Sequence, residues 1–190
     1  MLALMPFLAS LIALVFINEK ISKQNFISMI IAFIGALIMI YASAFSGSLY
    51  GLIMGFISSL GFAAFTVALR SKSDNKKFYI LIYAGIFCAT ISCCLMIINS
   101  QEIYLPFRNI LLSITHGLIV ASGLILFSIG SKHLLSGELT MLSLLEVVGG
   151  IFWAWLPVLG INEIPSTNTI VGGIVICLAI AMNSYRFDKK

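Results

Sequence analysis

Charge is what this sequence has least of. Asp, Glu, Lys and Arg together make up 9% of its 190 residues, where a soluble domain carries about a quarter. The polar sequence that remains is broken into short links, which leave no room for a separate soluble domain. Catalytic signatures are missing as well: there is no HExxH, no GxSxG, no phosphate-binding loop and no GxGxxG. The four cysteines, Cys88, Cys93, Cys94 and Cys177, form no Cys-x-x-Cys pair and all lie in apolar sequence. They give no metal site, and a structural disulfide is not expected, because buried thiols behave as small hydrophobes. No cofactor and no enzymatic activity are expected. The basic excess, net +4, has none of the clustering on one face that nucleic-acid binding needs. The first residues lack the charged region and the small-residue cleavage site of a signal peptide.

What the chain has instead is apolar length. Hydrophobic residues make up 61% of it, and its mean hydropathy is +1.11. A helix needs about 20 apolar residues to cross a bilayer, roughly 17 at the short limit. Seven stretches qualify or come close: residues 2–17, 25–42, 49–69, 78–98, 110–131, 138–160 and 169–185, in order spans A to G. The expectation is an all-α, multi-pass protein of the inner or plasma membrane. Lys and Arg set its orientation, since they are retained on the cytoplasmic side. With the links assigned alternately to the two sides, every one of the 11 basic residues except Arg108 falls on the same side. That places the C-terminus in the cytoplasm and the start of span A outside.

The chain also repeats itself. INEKISKQNFISMII, residues 17–31, lines up with INEIPSTNTIVGGIV, residues 161–175, at an offset of 144. Ile-Asn-Glu matches outright, Ser22 falls on Ser166, Ile30 on Ile174 and Tyr41 on Tyr185. Span B therefore corresponds to span G, and A to F. The copies lie five spans apart, an odd number, so they cross the membrane in opposite directions. Such inverted repeats build secondary carriers, whose substrate site lies near the membrane midplane at the repeat interface. A five-helix unit implies ten helices. Residues 47–186 make one complete unit, and residues 1–43 the last two helices of the other. The chain reads as the C-terminal seven helices of a ten-helix inverted-repeat (5+5) carrier, a truncated product or a fragment.

Two segments carry a family resemblance. Pro-Phe-Leu-Ala-Ser-Leu followed by Ile-Asn-Glu-Lys-Ile-Ser (Pro6 to Ser22) resembles the close of the first half-repeat of the EamA family, within the drug/metabolite transporter superfamily. Leu-Leu-Glu-Val-Val, Trp-Ala-Trp-Leu, Asn-Glu-Ile-Pro-Ser and Gly-Gly (Leu144 to Gly173) resemble the close of the second. The resemblance covers nearly the whole chain. It implies two inverted five-helix halves, both termini cytoplasmic, and movement of small metabolites by alternating access. The sequence departs from the family in three places. The first three helices are missing, the Glu-Pro of the late helix is Glu146-Val147, and three extra residues lie around Pro157. A non-transporting remnant, or a subunit that depends on a partner for the missing helices, is the alternative.

Within SLLEVVGGIFWAW, residues 143–155, Glu146 is the one charge between Glu138 and Glu163. It lies eight residues beyond Glu138, about 12 Å along a helix and close to the centre of a ~30 Å apolar core. A charge at that depth costs on the order of 2.5–3.5 kcal/mol, and such residues usually face a bundle interior or a wet cavity. Helical spacing puts Ser143, Gly150, Trp153 and Pro157 on the same side. Glu146, Ser143, Gly150 and Trp153 are the expected substrate or proton pathway, with interhelical hydrogen bonding of Glu146 as the competing reading. Pro6 and His116 are further pathway candidates. An imidazole is able to relay protons, although a hydrogen-bonded histidine near the membrane edge is the plainer reading of His116. Trp155, on the opposite face, is expected to anchor at the interface. Thr115, Ser122 and Ser128 are expected to bond backbone or neighbouring helices.

Gly47, Gly51, Gly55, Ser59 and Ala63 recur every four residues, a ladder that lets another helix backbone come close. A contact within the chain is the first reading, and a homodimer seam the second. Glu19 and Glu163 are repeat-related acids at opposite membrane faces, each placed before the start of the following helix, where the helix dipole favours them; functional gating is the weaker reading.

Overall fold

The computed structural model describes residues 2–41, 49–72, 74–100, 106–156 and 164–185. Their regular structure is helical throughout. After a short 3-10 turn, Leu2–Leu4, come α1 (Met5–Ile17), α2 (Lys23–Tyr41), α3 (Leu49–Ser71), α4 (Asp74–Ile98), α5 (Phe107–Gly130), α6 (Ser136–Ser143), α7 (Leu145–Trp155) and α8 (Thr167–Ser184). Among the described residues, six segments are long and apolar enough to cross a membrane: Lys23–Tyr41, Leu49–Ser71, Phe78–Ile98, Phe107–Gly130, Ser136–Trp155 and Thr167–Ser184. The chain is thus an all-helical, multi-pass membrane protein. Leu2–Ile17 is apolar but shorter, so span A does not reach the length of the other six.

The chain divides into two compact units, residues 1–67 with 134–190, and residues 68–133. In the first, α2 lies along α8, and α1 against α6. Helices α2 and α8 run antiparallel. At one end Gln24 Nε2 donates to the carbonyls of Met182 at 2.6 Å and Tyr185 at 2.8 Å, which closes off the C-terminal turn of α8. At the other end Gly35 and Met39 meet Gly172. Lipid is as apolar as leucine, so close packing of small residues, rather than escape from water, holds such helices together. The contact at Gly35 and Gly172 has that character. A Cβ on Gly35 would stand 2.8 Å from the Gly172 carbonyl oxygen, and a Cβ on Gly172 would overlap Met39 and the Gly35 carbonyl.

The buried positions of the two helices match. Helix α2 buries Ser28, Met29, Ala32 and Gly35, while α8 buries Gly172, Gly173, Ile176 and Ala179, each 144 residues further on. The N-termini match too. Ser22 Oγ accepts from the Asn25 N–H at 3.1 Å, and Ser166 Oγ from the Thr169 N–H at 3.2 Å, the side-chain caps that serine supplies best. A buried cluster of Met29, Ala32, Met141, Leu144, Ile176, Ala179 and Ile180 joins α2, α6 and α8.

One end of the small-residue ladder of α3 is in contact within the chain. Ser59 and Ala63 are fully buried, Gly55 is half-buried and Gly51 exposed; Gly47 lies outside the described residues. In the second unit α4 and α5 touch, yet among the described residues α4 buries none and α5 only Ser128. Hydroxyls there fold back on their own helix, Thr115 onto the Leu111 carbonyl at 2.9 Å and Ser122 onto Leu118 at 2.8 Å. Arg70, counted from sequence only as a cytoplasmic charge, donates to the carbonyls of Ser131 at 3.0 Å and Lys132 at 2.8 Å. These carbonyls follow the end of α5, where a cation is favoured. The four cysteines are free and exposed at the surface of this chain, three on α4 and Cys177 on α8, and are not the protein-buried thiols the sequence led one to expect.

Candidate functional site

Span F, expected as one helix through residue 160, is divided. Helix α6 ends at Ser143 and α7 begins at Leu145. Between them the hydrogen bonds shorten their reach: the Leu144 N–H turns to the Met141 carbonyl at 3.0 Å, and the Val147 N–H to Leu144 at 3.1 Å. This is 3-10 spacing, which marks a local break in an α-helix. The Thr140 carbonyl, the partner of Leu144 in a continuous helix, takes the Ser143 hydroxyl instead at 2.6 Å. A serine bonding back to its own helix in this way competes with the regular ladder. Residues 157–163, with Pro157 and Glu163, lie outside the described residues.

The turn at Leu144 puts Glu146 just after it, at the beginning of α7. Leu144 itself stays in the right-handed helical region, φ −65° and ψ −18°, so the chain direction carries on through it. Glu146 and Gly150 are exposed on the surface of this chain, and nothing stands within 4 Å of a Cβ built on Gly150. Trp153 is 55% exposed and meets Phe152 edge to face, the ring centroids 6.3 Å apart. Ser143 is half-buried, its proton held by Thr140. Pro6 is fully buried where α1 meets α6, its carbonyl oxygen 3.5 Å from a Cβ built on Gly137. His116 is exposed on α5, in the other unit. The structure therefore gathers Glu146, Gly150 and Trp153 on α7 and gives Pro6 a place in packing. Beside them an apolar groove of about 570 Å³ runs between α7 and α8, lined by Val148, Phe152, Trp155, Gly173, Ile174 and Cys177 among others. Trp155 lines this groove; Trp153 does not.

A second polar constellation escaped the sequence. Asn18 closes α1 in the left-handed region, φ 53°, a conformation that asparagine tolerates better than most residues. Its turn carries Glu19 to the start of α6. There Glu19 Oε1 accepts the Ser136 N–H at 3.0 Å, and Oε2 accepts the Ser136 hydroxyl at 2.8 Å. Helix α6 has Leu135 at its N-cap, which offers no side-chain acceptor. Glu19 supplies one from 117 residues away, and Glu138 reaches back to the Leu135 N–H at 3.0 Å. Gly137 presses so closely on Ser10 and Met29 that a Cβ has no room. The Ile-Asn-Glu motif thus provides a turn and a distant cap. Glu19 caps α6, a role beyond the one at the start of its own following helix that the sequence led one to expect. A helix start without a capping side chain, at Leu135, was the signal that pointed to an outside acceptor.

No protein-family model matches the chain, and no solved structure matches it significantly. Two curated relatives do match. One is the pseudopaline exporter CntI of Pseudomonas aeruginosa strain ATCC 15692, 23% identical over 177 residues. The other is the protein of the same name from strain UCBPP-PA14, 22% identical over 177 residues. Each alignment covers 92% of this chain and 60% of the relative. The chain spans about 60% of the length of these relatives and, along nearly all of its own length, is similar to proteins that bear the name of exporters.

Proposed function

We propose that this chain works as an EamA-like secondary carrier that moves a small organic metabolite outward across the inner membrane. The observation that carries the reading is the similarity to pseudopaline exporters over 92% of the chain. The matched registers of α2 and α8 support it. Antiparallel helices that bury equivalent positions and begin on equivalent serine caps are what inverted copies give when they meet across a two-fold axis in the membrane plane.

In this reading α2 and α8 are repeat equivalents, as are α1 and the divided helix of α6 and α7. Alternating access is a rocking of one copy against the other, and the contacts between equivalents must then change. Glu19 and Ser136 join the copies at the end flanked by Lys20, Lys23 and Lys132, the cytoplasmic end by the basic-residue rule. Their hydrogen bonds hold that end shut, and inward opening breaks them. Glu146 follows a helix discontinuity, a feature that recurs at carrier binding sites, and is the acid of the pathway. The substrate class is a small organic metabolite, and pseudopaline is the first compound to test.

The test compares metabolites inside and outside cells that lack the gene, carry it, or carry Glu146→Gln. Loss of the gene should lower at least one metabolite outside and raise it inside. Reintroduction should reverse both changes. Glu146→Gln should reach the membrane at normal levels yet restore export several-fold less well, or with a shifted pH profile. Indistinguishable profiles with and without the gene would overturn the carrier. Unaltered export by Glu146→Gln across pH would remove Glu146 from the pathway.

A further inference from the structure

Beneath Glu19, where α1, α2 and the start of α6 meet, lies a small, partly open space of about 10 Å³ lined by Ser10, Ala13, Glu19, Asn25, Leu135 and Gly137 among others. Asn25 is 2% exposed, and its Oδ1 has no hydrogen-bond partner. A buried amide oxygen left without a donor costs about 1–3 kcal/mol, and native proteins rarely leave one so.

The neighbouring groups do not supply that donor. The Ser10 hydroxyl is directed to Met29 Sδ at 3.8 Å. The Glu19 carboxylate is an acceptor only and already receives two bonds from Ser136. The volume matches the ~10–15 Å³ that a single water needs. Water also has the right chemistry, with two protons for the two oxygens and a lone pair for the Ser10 hydroxyl in place of a weak contact with sulfur. A metal cation fits less well, because hard cations take six or more oxygen ligands, and Lys20 lines the same space.

We infer that one water molecule is bound at this junction, donating to Asn25 Oδ1 and to the Glu19 carboxylate, and so linking α1, α2 and α6. Glu19 then holds two helices besides its own: α6 directly through Ser136, and α2 through the water. The assignment rests on the cavity and on Asn25, and stands or falls independently of any transport activity.

The experiment is a density map of the purified full chain at a resolution that resolves ordered water, recorded also for Asn25→Val. The expected result is a peak within hydrogen-bonding distance of both Asn25 Oδ1 and the Glu19 carboxylate, lost in Asn25→Val. An empty space, or a side chain turned into it, overturns the inference. A peak that persists in Asn25→Val shows a water held without Asn25 and overturns the bridge. Anomalous scattering at the same point after exchange into rubidium salt identifies a cation, and overturns it as well.

Discussion

At Glu19 a single carboxylate takes two hydrogen bonds from one residue, the Ser136 N–H and hydroxyl. Bonds to a charged acceptor are stronger than neutral ones, and losing them leaves a fully buried serine without its partner. Glu19→Ala should therefore lower stability by roughly 1–3 kcal/mol, read as a lower unfolding temperature in detergent. Glu19→Gln should lose less, because an amide oxygen still accepts from Ser136. Equal unfolding temperatures for all three proteins would show that the cap contributes nothing. The sequence made Glu19 visible through the repeated Ile-Asn-Glu, but not its partner, since 117 residues separate the two. Glu146 stood out in the sequence by its depth, because a charge deep in an apolar span needs a reason. The break before it was not. Leu144 and Leu145 carry no proline or glycine to announce it, and the Ser143 hydroxyl that accommodates it is ordinary in a membrane helix.

At the level of the helices, the matched burial of α2 and α8 makes their glycines the sensitive positions. A Cβ on Gly172 runs into the backbone of Gly35, and backbone yields less than a side chain. Gly172→Ala should push the helices apart, cost about 1–3 kcal/mol and lower the unfolding temperature. Gly150→Ala, on the open face of α7 with nothing within 4 Å, should leave it unchanged or slightly raised, as alanine favours helix. The reverse ranking would contradict the packing described here. The Ser22 and Ser166 pairing seen in the sequence anticipated the two caps, because capping is local chemistry. The apolar runs located the helices but began some of them late. Helix α4 starts at Asp74, four residues before the apolar run at Phe78, because a helix continues past its lipid-facing length into a polar first turn. Which copies touch was not legible, for nothing in a run of apolar residues names its neighbour.

For the whole molecule, composition identified a membrane protein at once, and the wide apolar exposure of α4 and α5 agrees with helices whose surroundings are lipid or further protein. Basic residues gave an orientation. In the proposed inverted arrangement, the distinctive consequence is that repeat-equivalent points, the starts of α2 and α8, face opposite sides of the membrane. The proposed alternating access, cytoplasmic closure at Glu19 and midplane pathway at Glu146 all depend on that inversion. The direct measurement uses a variant in which Cys88, Cys93, Cys94 and Cys177 are serine and a single cysteine is returned, by Lys23→Cys or by Thr167→Cys. Intact cells are then treated with a thiol reagent that does not cross membranes. Inverted copies predict that Thr167→Cys is labelled from outside, while Lys23→Cys is labelled only after the membrane is opened. Labelling of both positions from the same side would contradict the account.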